Sequence, residues 1–207
     1  MSDILVGRVS DCVFSPETLR KLFNFRDRPL SESLEGDICR INSAERDRFD
    51  NLDPVYVLSR DSARKVNACW RMLPTTGPYM LRLVFPYLLD GARAPASGYV
   101  WELSRLAMRL PADGRRRHAV SVALTMELLG AAYRFAVAHD IREYVTILTP
   151  AMERRARRAG LPVERIGRGN PRRVGGSFVV ACRIAVNEQA RRAIWPSEAG
   201  RVGRVAA

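Results

Sequence analysis

Residues 69–85 read CWRMLPTTGPYMLRLVF, and residues 100–105 read VWELSR. Together the two stretches place one glutamate, three arginines, a serine, two threonines and four aromatic rings in a mostly apolar background. Pro74, Gly77 and Pro78 interrupt the first stretch shortly after its first arginine, and such residues favour turns over regular structure. This pattern indicates a rigid turn beside charged groups rather than an ordinary core strand, so we expect the functional site here.

The composition is globular, with one unusual property, its charge. With 207 residues, of which 47% are hydrophobic and 27% charged, the chain fits a single domain over residues 1–207 with a substantial core. The formal net charge is +12, and almost all of the positive charge is arginine. Such an excess predicts an acidic partner: a nucleic acid, an anionic membrane surface, an acidic protein or a phosphorylated cofactor.

The cysteines and the apolar segments argue against several classes of protein. The cysteines form no CxxC pair and are scattered, at Cys12, Cys39, Cys69 and Cys182. We therefore expect no metal site, and free thiols in a cytoplasmic protein. Residues 1–10 lack the basic and apolar regions of a signal peptide. Residues 119–138 are apolar but include Glu127 and Arg134, so we interpret them as a buried helix and expect no membrane span.

Hydrophobic periodicity predicts an α/β fold with a mixed central β-sheet flanked by helices. Strands are expected at residues 4–9, 55–59, 66–70, 99–103, 143–149, 163–166 and 178–186. Helices are expected from Pro16 onwards and at residues 118–139, 151–159 and 187–194. Residues 26–41 are predicted to form a long loop, residues 79–85 fit a strand or a short helix, and the tail from about residue 196 is expected to be loose.

Glu102 is the most informative single residue, because it lies in an apolar strand between Trp101 and Leu103. In a regular strand Glu102 and Ser104 share one face, whereas a helix or a bulge would bring Glu102 near Arg105. A carboxylate in such surroundings must be paired or functional. A structural ion pair with an arginine and a catalytic role therefore both remain open.

The run RMLPTTGPYMLRLVFPYLL at residues 71–89, followed by VWELSR, resembles the LuxI-type acyl-homoserine-lactone synthases. The resemblance is close over residues 45–109 and continues more loosely through residues 146–160 and 174–184. It implies an acyltransferase (GNAT)-like fold and an enzyme that acylates the amine of S-adenosylmethionine from an acyl thioester on acyl carrier protein or coenzyme A. Closure of the lactone would release methylthioadenosine, with S-adenosylmethionine as a substrate and no cofactor.

The same resemblance implies roles for individual residues. Glu102 would take the proton from the attacking amine, and Arg71 and Arg105 would orient carboxylates or receive the substrate carboxylate. The implied S-adenosylmethionine site comprises Lys21, Phe25, Asp47, Asp50, Arg71 and Phe85. The implied acyl pocket comprises Ser104 with Thr146 or Thr149, since the spacing to Met152 allows both. Without the resemblance, the charged patch at residues 45–50 would indicate a solvated turn.

The N-terminal region departs from the family pattern of an Arg, a Phe four residues later and a Trp six residues further on. Matching residues 25–28 to the family places Lys21 at the arginine position and Ser31 at the tryptophan position. Arg20 is one residue away from the expected place. Loss of the tryptophan would remove a stacking surface for a sulfonium or an adenine.

The basic excess concentrates in residues 152–158, MERRARR. The non-functional interpretation is a helix face that is simply exposed to solvent. The functional interpretation is a dock for an acidic carrier protein, in which long-range charge steers association. The docking residues would be Arg154, Arg155, Arg157 and Arg158.

Two other functions deserve comparison with this prediction. An acetyltransferase normally binds pyrophosphate on a glycine-rich loop that opens a helix, and here Arg168 and Gly169 are followed by a proline and a strand instead. A nucleic-acid-binding module would suit the charge, but the sequence lacks zinc-finger spacing and an RNP aromatic motif. We therefore expect no nucleic-acid partner. Acyl-chain length, the thioester donor and the oligomeric state stay open.

Overall fold

The computed structural model describes residues 3–27 and 48–196. The strands in these ranges are β1 (Asp3–Arg8), β2 (Val55–Arg60), β3 (Val66–Pro74), β4 (Val100–Met108), β5 (Glu143–Leu148), β6 (Val163–Arg165), β7 (Arg172–Val174) and β8 (Ser177–Ala185). The helices are α1 (Pro16–Asp27), α2 (Met80–Leu83), α3 (Gly114–Ala138), α4 (Pro150–Arg158) and α5 (Glu188–Ile194). Single 3-10 turns occur at Asp50–Leu52 and Pro86–Leu89.

The sheet has the order β1-β2-β3-β4-β5-β8-β6, and β7 also pairs with β8. Its neighbouring strands are antiparallel, except for the parallel pair β4 and β5. That pairing ends at Leu103↔Thr146. Beyond it β4 continues to Met108 along β3, and β5 continues to Leu148 along β8. The sheet therefore opens between its two central parallel strands.

Helices cover both faces of the sheet because strand side chains alternate between the faces. In β2, Val55 and Val57 pack in the apolar cluster that contains the buried residues of α3. Tyr56 and Leu58 point to the opposite face, where they pack with the apolar residues of α1. A third cluster joins α2 and the turn Pro86–Leu89 to β8. The predicted single-domain α/β fold, a mixed sheet flanked by helices, is confirmed.

Helix α3 begins at Gly114 rather than at residue 118, because the Asp113 carboxylate accepts the N–H of Arg116 at 3.1 Å and caps the helix. Its buried residues lie between Leu124 and Ala136, whereas Val122 is 44% and Val137 is 60% exposed. The helix predicted to be buried is thus buried along one side only, and most residues of its first turns are exposed. Among the described residues α3 is the helix whose length and apolarity would suffice to cross a membrane, yet it packs as a core helix.

Other elements differ in their boundaries or type from the sequence-based predictions. Helix α1 starts as predicted, with the Ser15 hydroxyl accepting the N–H of Thr18 at 3.2 Å, but it extends through Arg26 into the segment predicted as a loop. The remainder of that loop, residues 28–41, and the tail from residue 197 lie outside the described residues. The ambiguous residues 79–85 contain the helical turn α2. Strand β7 was not predicted, because a strand of this length has no detectable periodicity.

The connection from β6 to β7 packs tightly against the end of the turn Pro86–Leu89. Gly167 has φ +64°, and a Cβ on it would overlap with the carbonyl oxygen of Leu89. The Asp90 carboxylate accepts a hydrogen bond from the Asn170 side chain at 2.7 Å and one from Arg172 at 3.0 Å. Only glycine can occupy position 167 without moving one of the two backbones.

Gly167→Ala is therefore expected to lower the free energy of unfolding by more than Gly91→Ala does. Both glycines have positive φ, but a Cβ on Gly91 would meet no atom within 4 Å. Gly91→Ala should cost only the conformational strain, about 1–2 kcal/mol, and the overlap at position 167 should add about 1–3 kcal/mol. Urea unfolding of both variants measures the difference, and equal losses would contradict the close packing described.

Candidate active site

The register of three neighbouring strands aligns the polar residues of the site. Tyr56 of β2 lies opposite Arg71 of β3, and Arg71 lies opposite Ser104 of β4. Directly opposed residues share a face of the sheet, so these side chains are on the face covered by α1. Glu102 lies two residues before Ser104 and therefore on the same face, as the alternation predicted.

A β-bulge follows this row in β4. The register between β3 and β4 shifts by one residue, so that Arg105 and Leu106 together oppose Trp70. Arg105 has φ 59°, a left-handed conformation that costs a non-glycine residue about 1–2 kcal/mol. The bulge places Arg105 on the same cavity as Glu102. Of the geometries that could bring these two residues together, the protein uses the bulge.

Asp50 is the centre of a buried hydrogen-bond network. Arg26 holds its two carboxylate oxygens in a fork, with N···O distances of 2.8 and 3.0 Å. Arg71 donates to the same carboxylate at 2.7 Å, and the Tyr56 hydroxyl donates at 2.5 Å. The exposed fractions of these residues are 2% for Asp50, 7% for Arg26 and 0% for Arg71 and Tyr56. Two cations thus share one anion in an environment shielded from water.

The network fixes the protonation of its members. Burial alone would raise the pKa of Asp50, but the Arg26 guanidinium and then Arg71 and Tyr56 outweigh it and hold that pKa well below its usual range. Burial raises the pKa of the Tyr56 hydroxyl, and the nearby Asp50 charge raises it further, although both arginines oppose this. Asp50 is therefore always ionised at neutral pH, and Tyr56 is always a donor.

Glu102 is only 1% exposed, and the first turn of α2 binds both of its oxygens. The N–H of Leu81 donates to one at 2.6 Å and the N–H of Met80 to the other at 3.0 Å. Burial raises the pKa of Glu102 above its ordinary value, although these two N–H groups, Arg71 and the Ser104 hydroxyl favour the ionised form. The carboxylate is thus held in one orientation and is more basic than an exposed glutamate.

A cavity of about 60 Å³ reaches Glu102 through the opening between β4 and β5. Its wall is mostly apolar, and it is lined by Trp70, Met80, Phe85, Glu102, Leu103, Ser104, Arg105, Leu106, Ile147, Leu148 and Met152. Within the described ranges, no cluster of three His, Cys, Asp or Glu side chains could hold a metal ion. An apolar cavity that ends at a fixed carboxylate suits a substrate with an aliphatic chain and a group that must lose a proton.

The residues predicted for the acyl pocket occupy different places. Ser104 lies on the cavity, and its hydroxyl oxygen accepts from Nε of Arg71 at 3.2 Å. Thr149 caps α4 by accepting the N–H of Met152 at 3.2 Å. Thr146 is buried on β5, and neither threonine is part of the cavity wall, to which β5 contributes Ile147 and Leu148. The predicted contact of the threonines with an acyl chain stays a prediction.

The residues predicted for the S-adenosylmethionine site are also separated. Phe85 lines the cavity and is 2% exposed. Phe25 is buried in the cluster beneath α1, with the Arg109 guanidinium carbon 5.6 Å from its ring centre. Asp47 lies outside the described residues, and Asp50 is engaged as described above. Their roles in substrate binding stay predictions.

Helix α1 supplies its cation to the site from Arg26 and not from Lys21. Lys21 instead pairs with Glu17 one helical turn away, at 2.8 Å, and its side chain is 41% exposed. If Arg26 is the family's arginine, the family spacing places Leu30 and Gly36 at the Phe and Trp positions, and both lie outside the described residues. Arg26 and Tyr56 were not predicted from the sequence. The position of Tyr56 opposite Arg71 in the predicted hairpin was the available signal.

The arginines predicted to dock a carrier protein are all exposed on α4: Arg154, Arg155, Arg157 and Arg158. Arg157 pairs with Glu153 at 3.2 Å, so part of its charge is locally compensated. Arg155 lies with Nη1 at 3.4 Å from Nδ1 of His118, in the exposed half of α3. The basic residues of α4 therefore adjoin the basic first turn of α3, at residues 115–117.

Arg26→Met is expected to lower the free energy of unfolding by about 3 kcal/mol, because it leaves the buried Asp50 with incomplete compensation. Lys21→Met on the same helix should cost about 0.5 kcal/mol or less, since an exposed pair one turn apart contributes little. Denaturant unfolding at neutral pH measures both values. Similar losses in the two variants would contradict the assignment of Arg26 as the cation of the site.

The pH dependence gives a second check on the same variant. The pKa of Asp50 is lowered on folding, so its stabilisation is present above the unfolded-state value of about 4 and is lost as the pH falls below it. Arg26→Met weakens that effect. The difference in stability between wild type and Arg26→Met should therefore shrink on acidification below about pH 4.

Comparison with known proteins gives one consistent result. The family model described as autoinducer synthase matches residues 12–194. An acyl-homoserine-lactone synthase of Aliivibrio fischeri is 36% identical over 178 residues, which are 86% of this chain and 91% of that protein. The crystal structure of the AHL synthase LasI matches with a TM-score of 0.79 and 33% identity over 95% of each chain.

Two further structures extend the comparison. TofI, solved in a ternary complex with an inhibitor and MTA, matches with a TM-score of 0.72 and 31% identity over 93% of this chain and 96% of that chain. A putative N-acetyltransferase from Lactobacillus plantarum matches with a TM-score of 0.54 and 14% identity, over 90% of this chain and 99% of that chain, and so shares the fold alone, which agrees with the expected acyltransferase-like architecture. The chain belongs to the autoinducer synthase family and is an acyl-homoserine-lactone synthase.

Proposed function

We propose that this synthase acylates the amine of S-adenosylmethionine from an acyl thioester and then closes the lactone with release of methylthioadenosine. The observation that carries the proposal is Glu102, a buried carboxylate fixed by two backbone N–H groups at an apolar cavity. The complex of the similar protein TofI with MTA supports the nucleoside product methylthioadenosine. The acyl donor is a thioester of acyl carrier protein in the first instance, with a coenzyme A thioester as the alternative.

In the first step the amine nitrogen attacks the thioester carbonyl, the C–N bond forms and the C–S bond breaks. The carrier sulfur leaves as a thiolate, and the nitrogen loses one proton to Glu102, directly or through a water. That proton then passes to the thiolate, which becomes the thiol and frees Glu102. An α-amino group has a pKa of about 7.7–8.0, so its initial deprotonation at neutral pH costs only about 1 kcal/mol. The larger contribution of Glu102 is to take the proton released as the bond forms, typically worth about 10²–10⁴ in rate.

In the second step the carboxylate of the acylated substrate attacks its own γ-carbon. The new C–O bond closes the lactone, and the sulfonium leaves with its electron pair as the neutral thioether methylthioadenosine. This step needs no proton acceptor, but it needs the carboxylate placed in line with the leaving sulfur. Arg105 lines the cavity beside Glu102 and would orient that carboxylate.

Arg71 links the two acidic residues of the site. It donates to Asp50 at 2.7 Å and to the Ser104 hydroxyl at 3.2 Å, and its charge favours the ionised form of Glu102. We propose that Asp50 serves the S-adenosylmethionine site mainly by holding Arg71 in this position. Phe85 on the cavity wall would border the adenosyl group, and the predicted contacts of Phe25 and Asp47 with the substrate stay predictions. Lys21, which pairs with Glu17 instead, is not included in the proposed site.

The basic surface formed by residues 154–158 of α4 and residues 115–117 of α3 is the proposed dock for the carrier protein. Acyl carrier proteins are acidic, and complementary charge raises association rates and lowers KM at low salt. The contact between Arg155 and His118 brings these two basic segments together. One of the two segments lies on helix α4, which also contributes Met152 to the cavity wall, so a bound carrier would stand close to the acyl entrance.

Glu102→Gln is expected to lower the rate of amide formation by about 10²–10⁴ while the protein stays folded. The assay mixes enzyme, S-adenosylmethionine and a panel of acyl thioesters, and it detects methylthioadenosine and the lactone. Glu143→Gln is the matched control, because Glu143 is a partly buried glutamate on the adjacent strand, outside the cavity wall. Unchanged amide formation by Glu102→Gln would contradict the role of Glu102 as the base. Absence of both products with the wild-type enzyme would refute the proposed reaction.

The pH profile tests the environment of the same residue. Because burial raises the pKa of Glu102, the carboxylate loses its basic form at a higher pH than an exposed glutamate does. The substrate amine produces one acid limb of kcat/KM near its own pKa of about 7.7–8.0. Loss of the basic form of Glu102 should add a second acid limb above about 4.3, the ordinary value for glutamate, and this second limb should be absent from the residual activity of Glu102→Gln.

The double substitution Arg154→Glu and Arg158→Glu is expected to raise KM for acyl carrier protein at least about tenfold, with little change in kcat, through lost steering and docking. KM for an acyl-pantetheine, which lacks the acidic protein, should not change. Arg192→Glu, a charge reversal on the exposed face of α5, is the control. Wild-type KM for the carrier should also rise steeply with salt, and a flat response would exclude this dock.

A further inference from the structure

A second and larger cavity lies across the sheet from Glu102. It measures about 600 Å³, compared with about 60 Å³ for the cavity at the catalytic carboxylate. Its walls come from β1, the starts of β2 and β4, and the C-terminal half of α3. Trp101 lines it, and Trp101 precedes Glu102 in β4, so the two side chains project to opposite faces. The proposed reaction makes no use of this cavity.

Aromatic rings form one wall of the second cavity and are held in place by their neighbours. Trp101 meets Phe135 edge to face at 5.6 Å, and its indole N–H donates to the carbonyl of Gly98 at 3.3 Å. Phe135 is followed one turn later by His139, with ring centres 4.1 Å apart. Fixed ring surfaces of this kind offer stacking to a flat ligand at a low entropic cost.

Two guanidinium groups from different elements complete the wall. Arg8 comes from β1, with its guanidinium carbon 5.9 Å from the Trp101 ring centre and Nη1 donating to the carbonyl of Asp53 at 2.6 Å. Arg134 comes from α3 and lies over the Trp195 ring at 5.3 Å. The one carboxylate on the wall, Asp11, accepts the N–H of Arg8 at 2.8 Å. Two arginines thus share the wall with one carboxylate, and the Asp53 carboxylate beside the wall pairs with Arg8 at 3.9 Å.

We propose that this cavity is a binding site for a small anion that carries a flat aromatic ring, such as a mononucleotide or an aromatic carboxylate. The ring would stack beside Phe135 and His139, and the anionic group would bind Arg8 and Arg134, whose planar donors match phosphate and carboxylate. The volume of about 600 Å³ is within the range of small-molecule sites. Because its wall includes Trp101, an occupied site would contact the strand that carries Glu102.

Isothermal titration calorimetry of the full chain with 5′-AMP and with indole-3-acetate tests this site. The two affinities show whether it prefers a mononucleotide or an aromatic carboxylate. Adenosine lacks the anionic group and inorganic phosphate lacks the ring. Each should therefore bind at least tenfold more weakly than 5′-AMP. Arg134→Glu should weaken binding of the anionic ring compounds at least tenfold. His139→Ala should weaken it less, and Arg192→Glu, the charge reversal on α5, should leave it unchanged.

The variants also separate this site from the catalytic face, where a nucleotide could bind. Binding of 5′-AMP or indole-3-acetate that Arg134→Glu weakens and Arg192→Glu does not would support the second site. Absence of binding by both compounds at millimolar concentration would overturn it, and so would binding that Arg134→Glu leaves unchanged. Because Arg134 is exposed, its substitution should not unfold the protein, which circular dichroism of the variant verifies.

Discussion

The structure depends on one shared anion, the buried carboxylate of Asp50. An isolated carboxylate in this position would be prohibitively unfavourable, and its burial is possible only because Arg26, Arg71 and Tyr56 all donate to it. These partners come from α1, β3 and β2, so the charge joins helix α1 to the neighbouring strands β2 and β3. Removing any donor leaves buried charge behind, and for that reason the network is rigid.

The opening between β4 and β5 gives access to the residues that this network holds in place. A continuous sheet would pack β4 against β5 along their full lengths and leave no access to Glu102. Here the parallel pairing stops at Leu103↔Thr146, and the bulge at Arg105 turns β4 away while keeping its bonds to β3. The row of Tyr56, Arg71 and Ser104 stays in register on one side. Apolar residues of β5 and α4 face it across the gap.

The sequence predicted the residues that are close together along the chain and failed where contacts span long distances. Glu102, Arg105 and Phe85 could be found because two adjacent segments carry most of the cavity wall. Arg26 was missed because it acts on Asp50, 24 residues away, and neighbouring positive residues on the same helix compete for the assignment. The role of Thr149 could not be assigned from the sequence, because a threonine before a proline suits a helix cap as well as a substrate contact.

The two buried acids of the site have opposite environments, and this difference supports the roles proposed for them. Asp50 is surrounded by cations, which lower its pKa, so it cannot act as a base near neutral pH and can only hold its partners. Glu102 has backbone donors and apolar neighbours, and burial raises its pKa. Groups whose environments move their pKa values apart commonly divide structural and proton-transfer roles in this way. Arg71 contacts Asp50 and acts on Glu102, so the ionised Asp50 fixes the cation that keeps Glu102 able to accept a proton.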